Sequence, residues 1–310
     1  MNVLSIGGSD PSSGAGIQSD VKTFENHGAY GFTVITAITS QNTKKISEIL
    51  PIPVKTVKSQ LKSVLDDFQI DAIKIGMVYD SNTIKAVHAV VKKVKCPVVV
   101  DPIIKSTTGT ILLKKSAVND FKKMIIPLAT IITPNKKEAK ILSGQNSIVK
   151  AAKKIQEMGA KNVIITGSNE TENGIEDFVL EETRSYYLKG KKIKIINHGS
   201  GCNYSASITA SLAMKKTIHD SSLFAKKYVF QSIENSKSLD KLSPCPCNTM
   251  LEPDSFADTI SNKLPSKSVT IISGICCLSR QAETAPSAAI KTPEGISSSS
   301  SIPAPTIVTS

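Results

Sequence analysis

Along the first 240 residues, short β-branched runs that stop at glycine or a polar residue alternate with longer stretches in which apolar residues recur every three or four positions. Residues 3–6 stop at Gly7-Gly8, and Ile17, Val21 and Phe24 then follow helical spacing as far as Gly28, which reads as a helix C-cap. Residues 32–38 form the next extended run, and Val54, Val57, Leu61, Val64, Leu65 and Phe68 mark an amphipathic helix. Residues 72–75 end at Gly76-Met77, 97–100 at Asp101, 129–132 at Thr133-Pro134-Asn135 and 162–165 at Thr166-Gly167. Helical patterns cover 84–94, 118–125 and 148–158 between them. This alternation predicts an α/β fold of three layers, a mostly parallel central sheet with helices on both faces. From Gly174 the rhythm changes. Residues 175–180, 184–188 and 192–196, with turns at Glu181-Glu182 and Lys189-Gly190, predict an antiparallel edge. A helix over about 201–214 and a last one over about 220–236, with Leu223, Tyr228, Phe230 and Ile233 as its apolar positions, complete the pattern.

The pattern ends near Asp240. Residues 241–310 hold 8 of the 15 prolines, 14 serines, a run of five serines at 297–301 and one aromatic residue, a low-complexity composition that predicts a disordered tail. The chain thus divides into one domain, 1–240, and a tail, 241–310, which reads as a truncated or altered end. The tail carries five basic and five acidic residues, so the whole net charge of +12 belongs to the domain and favours an anionic ligand. The domain's lysines are spread over every helical stretch, Arg184 is its single arginine, and the chain has no tryptophan. That distribution describes a solvated surface rather than a nucleic-acid stripe. Four of six cysteines lie in the tail, Cys245-Pro-Cys247 lacks metal-site spacing, and the N-terminal run is too short for a signal peptide. No apolar stretch of the tail is long enough to cross a membrane, and the cytoplasm is the expected location.

Candidate chemistry gathers at the strand ends, where open parallel sheets bind ligands. His198-Gly199-Ser200-Gly201-Cys202 opens a helix with two glycines that leave backbone N–H groups uncovered, an anion hole suited to a transferring phosphate. The same field would lower the Cys202 thiol pKa and place a proton acceptor there; the alternative is an ordinary strand-to-helix turn with a small buried cysteine and His198 as a hydrogen bonder. The loop from Gly7 to Gly16 offers a phosphate cradle or bare backbone for a flat ring, without the lysine of a P-loop. Asn135-Lys136-Lys137-Glu138 fits a magnesium–phosphate contact, or a helix cap whose fourth residue reaches back. Asp101 ends an apolar strand and needs a partner, a metal or a lysine such as Lys105.

Several of these segments together carry a resemblance. Gly7-Gly8-Ser9-Asp10-Pro11 through Gly14-Ala15-Gly16-Ile17-Gln18, then Asp20-Val21-Lys22-Thr23-Phe24, Lys74-Ile75-Gly76-Met77, Val100-Asp101-Pro102, Ile132-Thr133-Pro134-Asn135 with Glu138, and Gly199-Ser200-Gly201-Cys202 resemble, in order, hydroxymethylpyrimidine and phosphomethylpyrimidine kinases of thiamine biosynthesis, in the ribokinase-like superfamily. The resemblance covers residues 1 to about 238. It implies transfer of the ATP γ-phosphate to 4-amino-5-hydroxymethyl-2-methylpyrimidine and then to its monophosphate, by a homodimer. It places Gly8, Asp10, Ala15, Gln41, Met77 and Ile103 about the pyrimidine, with Gln41 reading the ring nitrogen and amino group. Asp101, Lys105, Asn135, Thr166, Gly167 and Ser200 would serve ATP, with Asp101 and Glu138 on Mg2+. Gly199, Gly201 and the Cys202 amide would form the hole, and Cys202 stands where most ribokinase relatives carry an aspartate base. Two departures bear on specificity. The family often has Lys-Gly-Gly where this chain has Thr166-Gly167-Ser168, and pyridoxal kinases often carry that threonine, which keeps pyridoxal or pyridoxine kinase as an alternative; Cys202 speaks against their Gly-Thr-Gly-Asp pattern. A ligand-sensing module that kept the fold is the non-enzymatic alternative.

Overall fold

The computed structural model describes residues 1–42, 44–172, 174–191 and 199–235, and the backbone of 237–240 and 243–245. All of these belong to the first of two compact units, Met1–Ser255. Nine strands form one sheet in the order β3-β2-β1-β4-β5-β6-β7-β8-β9. They are β1 (Asn2–Ser9), β2 (Tyr30–Gln41), β3 (Ile46–Pro51), β4 (Ala72–Ile75), β5 (Val98–Val100), β6 (Ile131–Ile132), β7 (Asn162–Glu170), β8 (Gly174–Leu180) and β9 (Ser185–Lys191). The six strands β2-β1-β4-β5-β6-β7 run parallel, with helices or helical runs on the connections between them, while β3 at one edge and β8 and β9 at the other are antiparallel.

The strands alternate their buried residues between two helical layers. Val98 and Val100 of β5 point into the larger core, with α2 (Val54–Asp67) and α3 (Ser81–Val91), whereas Val99 points into a second core with α7 (Ser200–Ala213) and α8 (Ile218–Glu234). On that second face α1 (Gly16–Asn26) lies beside α7, joined by Val3, Phe24, Ala206 and Ala210. Helix α7 is buried from Cys202 to Ala213 and made almost wholly of small residues, which lets α1, α8 and the sheet approach it closely. The other face is completed by α4 (Val118–Asp120), α5 (Lys136–Ser143) and α6 (Ile148–Glu157). Among the described residues no helix is long and apolar enough to cross a membrane.

The expected three-layer α/β architecture and the antiparallel edge are present, with local corrections. A hairpin of β2 with β3 forms the opposite edge as well, where no strand is expected from the pattern. Residues 118–125 are not one regular helix: α4 sits between a 3-10 turn at Lys115–Ala117, a π turn at Phe121–Ile125 and a second 3-10 turn at Ile126–Leu128, where Pro127 lacks the N–H that a regular ladder would need. Strand β7 continues through Thr166-Gly167 rather than ending there, and β9 runs through Lys189-Gly190 without a turn. On α8, Tyr228 is buried as expected, but Leu223 is 49% exposed; Ser221, Ser222, Ala225 and Ser232 are buried instead, and Ala225 packs with Tyr204, Ile208 and Leu212 of α7. The third extended piece, 192–196, and His198 lie outside the described residues, as does the tail except for β11 (Ser243–Cys245), which pairs with β10 (Lys237–Asp240).

Candidate active site

Strand β1 lies between β2 and β4, so the crevice beyond its carboxyl end is the point where the strand order reverses. Ile6 pairs with Ile75, which sets Gly7-Gly8 beside Gly76-Met77. A Cβ at Gly8 would come within 2.8 Å of Met77 Sδ, so bare backbone and a thioether lie face to face there. The loop after Gly8 is shaped by Asp10. One oxygen of its buried carboxylate accepts the Ser12 N–H at 2.9 Å and hydroxyl at 2.7 Å, and the other accepts the Ala15 N–H at 2.9 Å. Asp10 borders the cleft, and with these bonds it folds the loop. Gly16 has a φ of +63°, and a Cβ there would stand 2.5 Å from the Gly8 carbonyl oxygen, so the loop closes tightly on itself.

That loop meets the start of α7. Gly199 adopts a φ of +86°, and a Cβ on it would lie 1.7 Å from the Gly14 carbonyl oxygen. Only glycine fits. The first N–H groups of α7 therefore open toward the cleft directly beside Gly14-Ala15-Gly16. Cys202 accepts the Gly16 N–H at its sulfur, yet its thiol pKa is not lowered as the helix field suggests. Burial pushes it up to about 12; Lys74 opposes the rise, while Asp101 and Asp20 add to it. Desolvation outweighs the macrodipole because the latter contributes about 1 kcal/mol, under one pKa unit, whereas full burial shifts a pKa by up to ~5 units.

Lys74 and Asp20 are charged residues that sequence reasoning passed over. Lys74 of β4, 1% exposed, forms an ion pair with Asp20 of α1 and donates to the Cys202 carbonyl at 3.3 Å. The second Asp20 oxygen accepts the Ser5 hydroxyl at 2.6 Å. Burial works against the Lys74 ammonium, but Asp20, Cys202 and Asp101 outweigh it and hold its pKa above the ordinary lysine value. A lysine inside an otherwise apolar four-residue strand was the available signal. Asp101 accordingly has Lys74, not Lys105, as its cationic neighbour: burial raises its pKa, and Lys74 and the Ser205 hydroxyl at 3.0 Å pull it back. Lys105 is exposed, at the rim, in a bridge with Ile111.

Asn135 caps α5 as a full capping box. Its side chain accepts the N–H groups of Lys137 and Glu138 at 3.0 Å, and Glu138 Oε2 accepts the Asn135 N–H at 2.9 Å. The cap and the ligand reading are compatible, since both residues also line the cleft. Burial first, then the Asp101 charge, lifts the Glu138 pKa to about 8. Two buried, mutually repelling carboxylates facing a cleft are suited to one divalent cation. Among the described residues no group of three or more such ligands exists, so a cation there would draw its other ligands from phosphate and water, as magnesium does. Beyond Asn135, which bridges to Thr166, Gly167 takes a φ of +58° and gives its N–H to Asp177 Oδ1 at 3.0 Å; the other Asp177 oxygen pairs with Lys226 at 2.7 Å.

One cleft of about 1370 Å³ joins all these parts. Gly8, Ala15, Gln41, Met77 and Ile103 line one end, Thr166, Gly167 and the α8 side chains Leu223, Phe230 and Ile233 line the other, and Asp101, Glu138 and Gly199 to Cys202 lie along it. An apolar end, a hole of backbone donors and a pair of carboxylates are the parts of a phosphoryl-transfer site.

Known proteins share this arrangement. The family model for phosphomethylpyrimidine kinase matches residues 10–245. The hydroxymethylpyrimidine/phosphomethylpyrimidine kinase of Haemophilus influenzae is 39% identical over 244 residues, covering 75% of this chain and 91% of that protein. Among solved structures, phosphomethylpyrimidine kinase from Clostridium difficile superposes with a TM-score of 0.66 at 34% identity, over 75% of this chain and 99% of that one. Pyridoxal kinase from Staphylococcus aureus in complex with AMP-PCP and pyridoxal superposes with a TM-score of 0.70 at 33% identity, over 78% and 91%. The matched residues include eight of the nine strands of the sheet and every segment of the cleft except Gly7-Gly8-Ser9 at the end of β1, and the chain belongs to the phosphomethylpyrimidine kinase family.

Proposed function

We propose that this chain is an ATP- and magnesium-dependent kinase that phosphorylates 4-amino-5-hydroxymethyl-2-methylpyrimidine on its hydroxymethyl oxygen and then phosphorylates the monophosphate to the diphosphate. The observation that carries the reading is the single cleft in which the Gly8–Met77 end and the Thr166–Gly167 end meet at the α7 N-terminus, in a chain of this family. The pyrimidine lies against Gly8, with Met77 and Ile103 on its faces, Ala15 at its edge and Gln41 bonding the ring nitrogen and amino group. The adenine end is formed by Gly167 with Leu223, Phe230 and Ile233. The hydroxymethyl oxygen attacks the γ-phosphorus, the bond to the β-phosphate oxygen breaks, and ADP leaves. The N–H groups of Ser200, Gly201 and Cys202 hold the charge on the transferring group.

Asp101 and Glu138 would hold magnesium, which supplies neutralisation of the phosphate charges when bound. Asn135 fixes Glu138 through the capping box. The Cys202 thiol, protonated at neutral pH, is not a resting base; in a loose transition state the alcohol proton leaves late, to an oxygen of the transferred phosphate and from there to water, and positioning with charge neutralisation carries the rate. The likeness to pyridoxal kinase supports a second reading, phosphorylation of pyridoxal in the same cleft. Purified protein with ATP and magnesium, offered the pyrimidine, its monophosphate and pyridoxal separately and analysed by mass, tests both: diphosphate from the pyrimidine is the expected product, and product from pyridoxal alone would overturn the assignment. The reading includes a homodimer. The exposed Tyr30 and Phe68, packed at a tilt against Phe32 with 4.9 and 4.5 Å between ring centroids, support it, and sedimentation equilibrium tests it.

A further inference from the structure

Lys74 has no place in the transfer chemistry described so far, yet it lies beneath it. Ser5, Lys74 and Val99 pair in register across β1, β4 and β5, so Ser5 and Lys74 share the face of the sheet on which α1 and α7 pack. From that face the Lys74 ammonium meets two groups: the Asp20 carboxylate, itself held by Ser5, and the carbonyl of Cys202 at 3.3 Å. The Ser205 hydroxyl lies 3.1 Å from the same carbonyl and 3.0 Å from Asp101 Oδ2. A continuous polar chain therefore runs from Ser5 through Asp20, Lys74, Cys202 and Ser205 to Asp101.

An alkyl side chain in place of Lys74 would suit a buried strand better, because a buried ion pair seldom stabilises a fold more than apolar residues of the same volume. What the pair adds is direction. The Cys202 carbonyl belongs to the first turn of α7, whose N–H groups face the cleft, and a fixed cation on that carbonyl sets the orientation of the turn. The pair also leaves the hole as the end of a polar chain anchored in β1 and β4 rather than as a free helix terminus.

We propose that Lys74 is a positioning residue for phosphoryl transfer, anchoring the Cys202 carbonyl so that the α7 N–H groups are aimed at the transferring phosphate, with Asp20 and Ser5 holding it in place. This rests on the kinase reading above. The wild-type enzyme is therefore assayed first, since absence of any pyrimidine phosphate from wild type would refute that reading and not the part assigned to Lys74. The test itself is the double variant Lys74→Met/Asp20→Asn, which removes both charges of the ion pair together and leaves the Ser205 hydroxyl on Asp101, beside the single Lys74→Met. The expected result for the double variant is a kcat lower by about 100-fold, the scale of losing one preorganised donor, with KM for pyrimidine and for ATP within about threefold of wild type. A purely structural pair predicts that removing both charges together restores turnover. Wild-type kcat in the double variant, a rise in both KM values that accounts for the loss, or a double variant that does not fold would each overturn the proposal.

Discussion

Protonation of His27 should set the acid limit of stability. His27 follows α1, is 5% exposed, and packs edge-on against Phe224 and Tyr228 at 5.1 and 4.7 Å between centroids. Its Nδ1 faces the Thr23 carbonyl at 2.8 Å and its Nε2 faces the Ser207 hydroxyl at 2.8 Å, which assigns the hydrogen to Nδ1 and leaves Nε2 as acceptor. Burial, aided by the Lys216 charge and opposed by the Thr23 carbonyl, lowers its pKa from 6.5 to about 4. Between those values the unfolded chain binds the proton and the native protein does not. The contribution is thus complete above pH 6.5 and is lost as pH falls toward 4. At ~1.36 kcal/mol per unit, the two units from pH 6.5 to 4.5 amount to ~2.7 kcal/mol. Urea unfolding of the wild type and of His27→Gln at pH 7.5 and 4.5, without nucleotide, reads this directly. Whatever the substitution costs at pH 7.5, the wild-type advantage should shrink by ~2–3 kcal/mol at pH 4.5; a gap that changes by less than ~0.5 kcal/mol would refute a neutral, network-held His27.

Glu138 should act in the opposite direction. Its native carboxyl keeps the proton up to about pH 8 while the unfolded one releases it near 4.5, so wild-type stability falls as pH rises through that window. In EDTA, Glu138→Gln should gain ~2–3 kcal/mol on wild type between pH 6 and 8 in urea unfolding, and a constant difference would contradict it. Cys202 should react with iodoacetamide at pH 8 at least ~100-fold more slowly than a small free thiol, since its thiolate is disfavoured; peptide mapping by mass resolves it from the other cysteines, and a rate equal to the free thiol would restore the activated-thiolate idea. Gly199→Ala should lower kcat by more than ~100-fold and reduce the thermal midpoint, because its Cβ would sit 1.7 Å from the Gly14 oxygen at a positive φ; unchanged turnover would mean that the loop and the helix do not touch in solution.

The strands of the parallel sheet were legible because they are buried on both faces and spell unbroken β-branched runs, as in Val98–Val100. Strand β3 was not: Ile46–Pro51 is a short half-exposed edge with no contrasting flank. The segments of the cleft were legible one by one as glycines and polar residues at strand ends, and Gly8, Met77, Asp101, Glu138 and Cys202 do come together. The partner of Asp101 was not, since Lys105 is near in sequence while Lys74 is near through the pairing of β4 with β5, and strand order cannot be read from spacing. The thiol of Cys202 misled for a related reason. A helix terminus is visible in a sequence, but the depth at which it is buried is a property of everything packed around it.

The contact of Gly14 with Gly199 has a consequence for how the protein comes into being on the ribosome. Ser19 and Asn203, 184 positions apart, already share a hydrogen bond just beyond it, so the transfer centre joins the loop after β1 to a helix made much later. A nascent chain released through Met77 already holds both Gly8 and the residues beyond β4 that face it, but nothing to roof Gly14 until α7 arrives. The phosphate hole is therefore completed only when α7 has been made, and only the α8 side chains of the opposite end of the cleft come later.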